Sequence, residues 1–363
     1  MLARFFHAWE RRLATVTKDR VVRPFEWGLD WISENGHPAW TPAATLLEWV
    51  AATMADTEAF FHTVPATDAV LTPSIPSRWG ETGTLTFSSG YQTPDESNNT
   101  VYARYFQARQ TGGAPRRAVV VLPQWNADPG GHAGLCRLLA YAGMSALRLS
   151  MPYHDERMPP YLHRADFIVS SNIARTVQVC RQAVLDARRA AQWLAEQGYE
   201  RIGILGTSLG SCLALLTTAH EPLIRAEALN HISPYFADVV WEGLSTAHVR
   251  AGLEGHIDLD LLRRLWMPIS PRAYLDRLRE KKTLLVYARY DLTFPVGLSR
   301  ALVDQFHARG IPHDVAVLPC GHYSTGQAPF KFLDGLLLTR FLRRSLSIPR
   351  GRRTNSRPGP SNV

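Results

Sequence analysis

The sequence lacks any long hydrophobic run. Although 45% of its 363 residues are hydrophobic, no stretch reaches the roughly 18 uninterrupted apolar residues that a membrane span requires. The opening residues, MLARFFHAWERRLATV, contain none of the apolar core that a secretory signal carries. We therefore expect a globular protein with neither feature, built from one large or two medium domains.

Cysteine is scarce. The four cysteines have neither metal-ligand spacing nor the spacing of a disulfide framework: Cys136, Cys180, Cys212 and Cys320. This pattern favours a reducing, cytoplasmic location, and it gives no reason to expect a metal or another cofactor.

Acidic residues are absent from the end of the chain. From Arg340 onward there are seven arginines and no Asp or Glu, so this segment accounts for nearly all of the net charge of +8. Its richness in Pro, Ser, Gly and Arg predicts a disordered basic tail over residues 346–363. The tail is either solvated or a contact for an acidic surface such as phospholipid, and we expect no nucleic-acid partner.

Apolar side chains recur at helical spacing near the N-terminus, and arginines occupy other faces. The apolar positions are Leu2, Phe5, Phe6, Trp9, Leu13 and Val16. Two interpretations stay open. The helix packs its aromatic stripe on the domain, or it lies on anionic lipid and makes the protein membrane-associated.

The chain changes its pattern near residue 84. Residues 1–83 indicate an extension of helices and loops packed on the core, whereas residues 84–345 alternate short β-branched runs with helical segments. Such alternation predicts an α/β fold, with a mostly parallel, roughly eight-stranded sheet and helices on both faces. The insert at about 233–280 is too long for a plain crossover, and we expect it to form a small helical cap.

The segment Gly206-Thr207-Ser208-Leu209-Gly210 stands between a predicted strand and a predicted helix. Glycine costs about 1 kcal/mol relative to alanine inside a helix, so two glycines here indicate a backbone that side chains would obstruct. G-x-S-x-G in this context is typical of a nucleophile elbow, a tight turn that exposes the serine. Ser208 is therefore the candidate nucleophile, and the Leu209 N–H is a candidate oxyanion donor.

A serine nucleophile needs a base and an orienting acid, which in this architecture follow it in the order serine, acid, histidine. Asp291 comes just after a predicted strand, and His322 comes just after the last one. Because the carboxyl ends of parallel strands meet at one sheet edge, we expect these two side chains and Ser208 to form a triad. Asp238, after an earlier strand, is the alternative acid.

The second oxyanion donor should come from the loop after the strand RAVVVLP. This loop lacks an H-G-G-G segment, so the Trp125 N–H is our choice, with the Gln124 N–H as the alternative. His154 and Arg157 could line the pocket, and we expect Cys212 to be a buried packing residue. The other histidines that follow predicted strands are His132, His163 and His231.

The constellation resembles the alpha/beta-hydrolase superfamily over roughly residues 84–345. More narrowly, the segments RADFIVSSNIARTVQVCRQAVLDARRAAQWL, YFADVVW, YARYDLTFP and PCGHYSTG resemble the branch called alpha/beta-hydrolase domain-containing protein eighteen. The resemblance implies ester hydrolysis, with lipid acyl esters among the candidate substrates.

We therefore expect a cofactor-free serine hydrolase that cleaves small-molecule carboxylic esters through an acyl-enzyme intermediate. Two alternatives stay open: transfer of the acyl group to an alcohol or amine, and hydrolysis of lipid esters at a membrane surface through the N-terminal helix or the basic tail. A non-catalytic binding module is the third alternative, and it is disfavoured because every triad position is filled.

Overall fold

The computed structural model describes residues 1–17, 19–32, 41–73, 82–109 and 115–347. Most of the expected basic tail, residues 348–363, lies outside this part of the chain.

One sheet forms the centre of the fold. Its strands in chain order are β1 (Val70–Pro73), β2 (Gly83–Ser88), β3 (Thr100–Phe106), β4 (Arg117–Leu122), β5 (Ser145–Leu149), β6 (Arg201–Thr207), β7 (Ile224–Asn230), β8 (Lys282–Ala288) and β9 (His313–Leu318). Across the sheet they lie in the order β1-β2-β3-β5-β4-β6-β7-β8-β9. The strands from β4 to β9 run parallel, and β1, β2 and β3 pair antiparallel.

Helices cover both faces of the sheet. The α-helices are α1 (Leu2–Ala14), α2 (Pro42–Ala55), α3 (Thr57–Phe60), α4 (Ala133–Tyr141), α5 (Ile173–Glu196), α6 (Leu209–His220), α7 (Phe236–Glu242), α8 (Ala247–Leu253), α9 (Leu259–Leu265), α10 (Val296–Ala308) and α11 (Phe330–Ser345). Short 3₁₀ helices lie at Leu29–Trp31, Glu96–Asn99, Asp155–Arg157, Leu244–Thr246, Met267–Ile269, Pro271–Leu278 and Ser324–Gly326. None of the described helices combines the length and the apolar composition that a membrane span requires.

The central strands read as continuous apolar runs because each face of the sheet has its own core. In β4, Val120 packs into the core formed with α5 and α6, whereas Val119 and Val121 pack into the core formed with α1, α4 and α11. Successive side chains of a strand point to opposite faces, so a strand covered on both sides needs apolar residues at every position. The predicted fold class is therefore confirmed.

The sheet has nine described strands, where the sequence predicted roughly eight. β1 lies inside the segment 1–83 that we had expected to stay outside the sheet, and the expected boundary at residue 84 falls inside β2. All four residues of β1 are exposed. An edge strand of this kind lacks the buried apolar side chains whose pattern predicts a strand from the sequence. This explains why the sequence did not reveal β1.

The long insert between β7 and β8 contributes Phe236 and Val240 to a pocket that Ser208, just after β6, also lines. It contains α7, α8 and α9, and the last of these begins at Leu259 with the Asp258 carboxylate accepting the Leu261 N–H at 2.8 Å. The buried face of the insert packs into the same core as α2, α5 and α6. The insert therefore stands beside the sheet edge at which the candidate residues meet.

Candidate active site

Ser208 stands between β6 and α6 on a turn with an unusual backbone, at φ 57° and ψ −120°. Residues other than glycine rarely adopt this region, and its strain is typical of functional sites. A Cβ on Gly206 would lie 2.1 Å from the Gly210 oxygen, and a Cβ on Gly210 would lie 2.2 Å from the Leu122 oxygen. As the sequence predicted, both glycines are needed for the close approach that makes this turn.

The turn leaves Ser208 at the N-terminal end of α6. The Ser208 N–H donates to the Asn230 oxygen on β7 at 2.7 Å, which fixes the tip of the turn to the sheet. Leu209 is the first residue of α6, so its N–H has no acceptor within the helix. This donor and the positive end of the helix dipole both favour a negative charge near Ser208.

Asp291 follows β8 and is almost fully buried, at 4% exposure. One carboxylate oxygen, Oδ1, accepts the N–H groups of Thr293 at 2.8 Å and Phe294 at 2.7 Å. The other oxygen, Oδ2, accepts Nδ1–H of His322 at 3.1 Å. Burial alone raises the pKa of Asp291, but the imidazoles of His322 and His231 outweigh burial and hold this pKa well below its usual value. Asp291 is therefore an ionised acceptor.

His322 follows β9 and stacks on the Phe294 ring, with centroids 5.5 Å apart and planes 11° apart. Ser208 and His322 line the same open cleft, whose volume is about 1410 Å³. Within the described part of the chain, no hydrogen bond joins the Ser208 hydroxyl to the His322 ring. Such contacts between a hydroxyl and a base frequently tighten only when substrate is bound.

Asp291 has a second imidazole partner, because His231 Nδ1 lies 2.8 Å from the same Oδ2 atom. The sequence placed His231 after a strand but assigned it no role. Ligand-type atoms of His231, Asp291 and His322 lie within 4.8 Å of one another. We interpret the cluster as hydrogen-bonded, since both nitrogen–oxygen distances are those of N–H···O bonds.

The loop that carries His322 is held by Glu10 on helix α1. Glu10 is fully buried, and its Oε2 accepts the Tyr323 N–H at 2.8 Å. Its Oε1 accepts the N–H and the hydroxyl of Ser324, at 2.9 and 2.7 Å. A Cβ on Gly321 would lie 2.3 Å from the Glu10 carboxyl carbon, so only glycine admits this contact. Sequence reasoning missed Glu10, although its position four residues from both Phe6 and Ala14 places it on the buried face.

Helix α1 also supports the loop that carries Asp291. Phe6 is buried and stacks on Tyr290, with centroids 4.6 Å apart and planes 6° apart. Tyr290 immediately precedes Asp291. Of the two interpretations of the N-terminal helix, the structure supports packing on the domain, although Leu2 and Phe5 remain exposed.

The loop after β4 contributes Gln124 and Trp125 to the wall of the cleft. Among the described residues, the N–H groups of Gln124 and Trp125 have no acceptor, whereas the Asn126 N–H donates to His154 Nε2 at 2.9 Å. Burial lowers the pKa of His154 to about 4, so its ring is neutral and can accept this bond. The Trp125 indole donates to the Ala165 oxygen at 2.8 Å. His154 therefore positions this loop, a role that the sequence did not reveal.

A small apolar pocket of about 50 Å³ opens beside Ser208. The two residues with candidate oxyanion N–H groups, Leu209 and Trp125, contribute to its wall. Its other apolar walls include Val169, Cys212, Phe236, Val240 and Phe294. The volume admits only a few non-hydrogen atoms, because one water molecule needs about 10–15 Å³ on this scale.

Two candidates from the sequence lie elsewhere. Asp238, the alternative acid, accepts from Arg263 Nε at 2.6 Å within the insert and does not contact His322. Arg157 is buried in an ion pair with Asp186, at 2.9 Å, and does not line the cleft. A long side chain after a strand can turn into the core as readily as into a pocket, and the sequence pattern alone does not distinguish the two.

The remaining candidates behave as packing or wall residues. His132 and His163 line the cleft together with Ser208, and His132 Nε2 lies 3.0 Å from the Thr207 hydroxyl. Cys212 is buried as expected, and burial raises the pKa of its thiol. All four cysteines of the chain are buried and free.

No protein-family model matches the sequence, and no curated protein matches it in sequence. Solved structures do match. Acetyl xylan esterase 1 from Thermoanaerobacterium sp. superposes with a TM-score of 0.59 at 16% identity, covering 89% of this chain and 100% of that one. The acetyl xylan esterase of Paenibacillus sp. R4 gives 0.57 at 13% identity, with 87% and 98% covered.

A third structure, the acylaminoacyl peptidase of Pyrococcus horikoshii, gives a TM-score of 0.57 at 15% identity. The match covers 73% of this chain and 41% of the peptidase. The chain has the alpha/beta-hydrolase fold. At these identities the likeness concerns the fold alone, and the narrower branch that the sequence resembles stays a prediction.

Proposed function

We propose that this alpha/beta-hydrolase-fold chain is a serine hydrolase that cleaves carboxylic esters. Ser208 is the nucleophile, His322 the general base and Asp291 the acid that orients the base. The observation that carries the proposal is the 3.1 Å bond between His322 Nδ1 and a buried, ionised Asp291, at the rim of the cleft that Ser208 also lines.

The reaction follows from this arrangement. His322 Nε2 takes the proton of the Ser208 hydroxyl as the oxygen attacks the acyl carbon. Asp291 holds the Nδ1–H tautomer of His322 and stabilises the imidazolium that forms. His322 then gives its proton to the leaving alkoxide, which departs as an alcohol. Water activated by the same imidazole attacks the acyl-enzyme, releases the acid and restores Ser208.

The oxyanion needs two donors that are in place before the reaction. The Leu209 N–H lies at the start of α6, and the Trp125 N–H lies in the loop fixed by His154. The acyl group enters the small apolar pocket that Leu209 and Trp125 help to line, and the alcohol half of the ester occupies the open cleft. The pocket volume therefore favours a short acyl chain.

Replacing the nucleophile tests the proposal. Ser208→Ala should lower kcat by roughly 10⁴-fold or more, because the base and the oxyanion donors then have no attacking group to assist. A fluorophosphonate probe should label the wild type, and mass spectrometry of its peptides should place the label on Ser208. Ser347→Ala, at an exposed position two residues after the end of α11, is the matched control and should keep wild-type activity. Unchanged turnover in Ser208→Ala refutes the assignment.

A p-nitrophenyl ester series from acetyl to palmitoyl tests the substrate class. We expect kcat/KM to be highest for the short chains and to fall once the chain exceeds the apolar pocket. A maximum at palmitoyl contradicts the proposed placement of the acyl group. Adding an alcohol at increasing concentration to the same assay shows whether the acyl-enzyme passes to water, as proposed, or to another acceptor.

A further inference from the structure

A second imidazole contacts the candidate acid, and the proposed mechanism does not use it. His231 directly follows β7 and is 1% exposed. Its Nδ1 lies 2.8 Å from Asp291 Oδ2, closer than His322 Nδ1 at 3.1 Å from the same atom. The two imidazole rings have centroids 4.6 Å apart at 58°. One carboxylate oxygen is therefore shared between two histidines.

The backbone of His231 is fixed on both sides. Its N–H donates to the Val286 oxygen on β8 at 2.8 Å, and its carbonyl oxygen accepts the Ser211 hydroxyl at 3.0 Å. Its φ of 62° is uncommon for a residue with a side chain. This backbone conformation costs energy, and it persists because the surrounding hydrogen bonds hold it in place. The imidazole ring is thereby held against Asp291.

The surroundings of His231 favour its neutral form. Within the described residues its Nε2 has no hydrogen-bond partner, so an imidazolium would carry an unpaired buried N–H. Burial lowers the pKa of His231, although hydrogen bonding to Asp291 acts in the opposite direction. The other charged or titratable groups that face it are His322, Glu10 from α1 and, through Asn230, Asp334 from α11.

We propose that His231 is a positioning residue, a neutral and permanent donor that fixes Asp291 Oδ2 and moderates the hold of this oxygen on His322. The proposal rests on the proposed function. With His231 present, the carboxylate is oriented by three donors in addition to His322: the Thr293 and Phe294 N–H groups on Oδ1 and His231 on Oδ2. Without it, Oδ2 loses the donor that fixes its position, while its bond to His322 remains.

The shared oxygen has a second consequence. The hydrogen bond from His231 offsets part of the negative charge on Asp291 Oδ2, so this oxygen attracts a proton on His322 less strongly. Removing the His231 donor leaves more of that charge facing His322 and favours its imidazolium form, which cannot act as a base. The enzyme then needs a higher pH to reach the active state.

Two variants separate the donor from the ring. In His231→Asn the amide nitrogen occupies nearly the place of Nδ1, so it can still donate to Asp291, and asparagine tolerates positive φ. In His231→Gln the amide reaches the place of Nε2, so the donor to Asp291 is lost while a polar side chain remains. Thermal unfolding of both variants reports whether the fold is kept.

We expect His231→Gln to lower kcat by up to about a hundredfold with little change in KM, as for a misplaced catalytic group. Its acid limb in the kcat/KM profile should move up by about one pH unit. His231→Asn should restore both readouts to near the wild type. A His231→Gln variant with unchanged kcat and pH profile overturns the proposal. Equal losses in both variants, with equally lowered melting temperatures, also overturn it, because His231 would then serve packing alone.

Two measurements keep this inference separate from the proposed function. Histidine-selective ¹⁵N NMR of the wild type should show His231 as the neutral Nδ1–H tautomer, and in His231→Gln the Nδ1–H signal of His322 should shift because its acceptor oxygen has lost the second donor. Neither readout needs turnover, so both stand if Ser208 takes no fluorophosphonate label and the proposed function fails. Activity that a chelator abolishes and a divalent metal restores overturns the inference, because the cluster would then bind metal.

Discussion

The loops that carry Ser208 and His322 are supported in different ways. The Ser208 turn is held by backbone contacts with its neighbours, since glycines permit the close approach and the Ser208 N–H donates to the Asn230 oxygen. The His322 loop is held by Glu10, a side chain more than 300 positions earlier in the chain. A turn that is held by contacts among neighbouring residues can be recognised from a short sequence motif. A loop that is held by a side chain on a distant helix cannot.

The buried carboxylates beside the two loops also differ. Glu10 accepts three hydrogen bonds from the His322 loop, which compensate its burial. Among the described residues, the Asp334 carboxylate on α11 accepts one hydrogen bond, from Asn230 Nδ2 at 2.9 Å, and the Asn230 carbonyl oxygen accepts the Ser208 N–H. Because burial penalises a charge with few donors, the first carboxylate should stabilise its loop and the second should be dispensable.

The largest effect should follow from crowding the Ser208 turn. In Gly210→Ala the new methyl group would meet the backbone oxygens of Leu122 and Pro123, at 2.2 and 2.5 Å. Neither oxygen can move without shifting the end of β4 and the loop with Trp125. We expect a loss of stability of about 1–3 kcal/mol or more and near-complete loss of ester hydrolysis, measured by thermal unfolding and p-nitrophenyl acetate turnover.

Gly297→Ala is the matched control for this substitution. Gly297 is also the second residue of its helix, α10, and a Cβ there meets nothing within 4 Å. Alanine at this position should stabilise the protein by up to about 1 kcal/mol through helix propensity. If both alanine variants behave alike, the close approach of Gly210 to β4 does not determine the turn.

A smaller effect should follow from releasing the His322 loop. In Glu10→Gln the amide nitrogen faces the Tyr323 N–H or the Ser324 donors, so at least one buried donor loses its acceptor at a cost of about 1–3 kcal/mol. The loop shifts, and kcat should fall by about tenfold or more with KM nearly unchanged. Steady-state kinetics and thermal unfolding measure both effects.

Glu254→Gln provides the control for Glu10→Gln. Glu254 is half exposed and pairs with Arg250 one helical turn away, at 2.7 Å, a type of ion pair that contributes about 0.3–0.5 kcal/mol. It should leave kcat unchanged. A Glu10→Gln variant with wild-type kcat would show that the His322 loop keeps its position without α1.

The same distinction explains how much of the site the sequence predicts. Ser208, Asp291 and His322 stand out because each follows an apolar segment that predicts a strand of the parallel sheet, and the fold brings all such positions to one edge. The glycines stand out because they are costly in regular structure. The parallel sheet is predictable for a similar reason, since strands buried on both faces are apolar throughout.

The supporting residues are not predictable in this way. Glu10, His154 and His231 act through contacts with loops far away in the chain, and their residue types are common in solvated positions. Glu10 gave one usable signal, a carboxylate on the apolar stripe of a helix. The same limit applies to β1, an exposed edge strand, and to Arg157, whose partner Asp186 lies on another element. Only the packed structure decides which polar residues turn inward.

The smallest effect on turnover should come from Asp334, whose influence should appear in stability rather than in kcat. Burial raises the pKa of Asp334 to about 7, and the bond from Asn230 compensates only in part. Between about pH 4 and 7 the folded protein therefore binds more protons at this site than the unfolded chain, so the free energy of unfolding falls as pH rises. Asp334→Asn keeps an acceptor for Asn230 and removes the titration.

We expect the stability advantage of Asp334→Asn over the wild type to be larger at pH 8 than at pH 5, by on the order of 1–4 kcal/mol. Burial also raises the pKa of Glu227 to about 7. Part of the pH dependence of stability should therefore remain in Asp334→Asn. Asp276→Asn, at an exposed ion pair, should shift stability little at either pH. Urea unfolding at the two pH values measures the difference. If Asp334→Asn is the less stable protein at pH 8, its charge supports the Ser208 side as Glu10 supports the His322 loop, and the contrast between the two carboxylates fails.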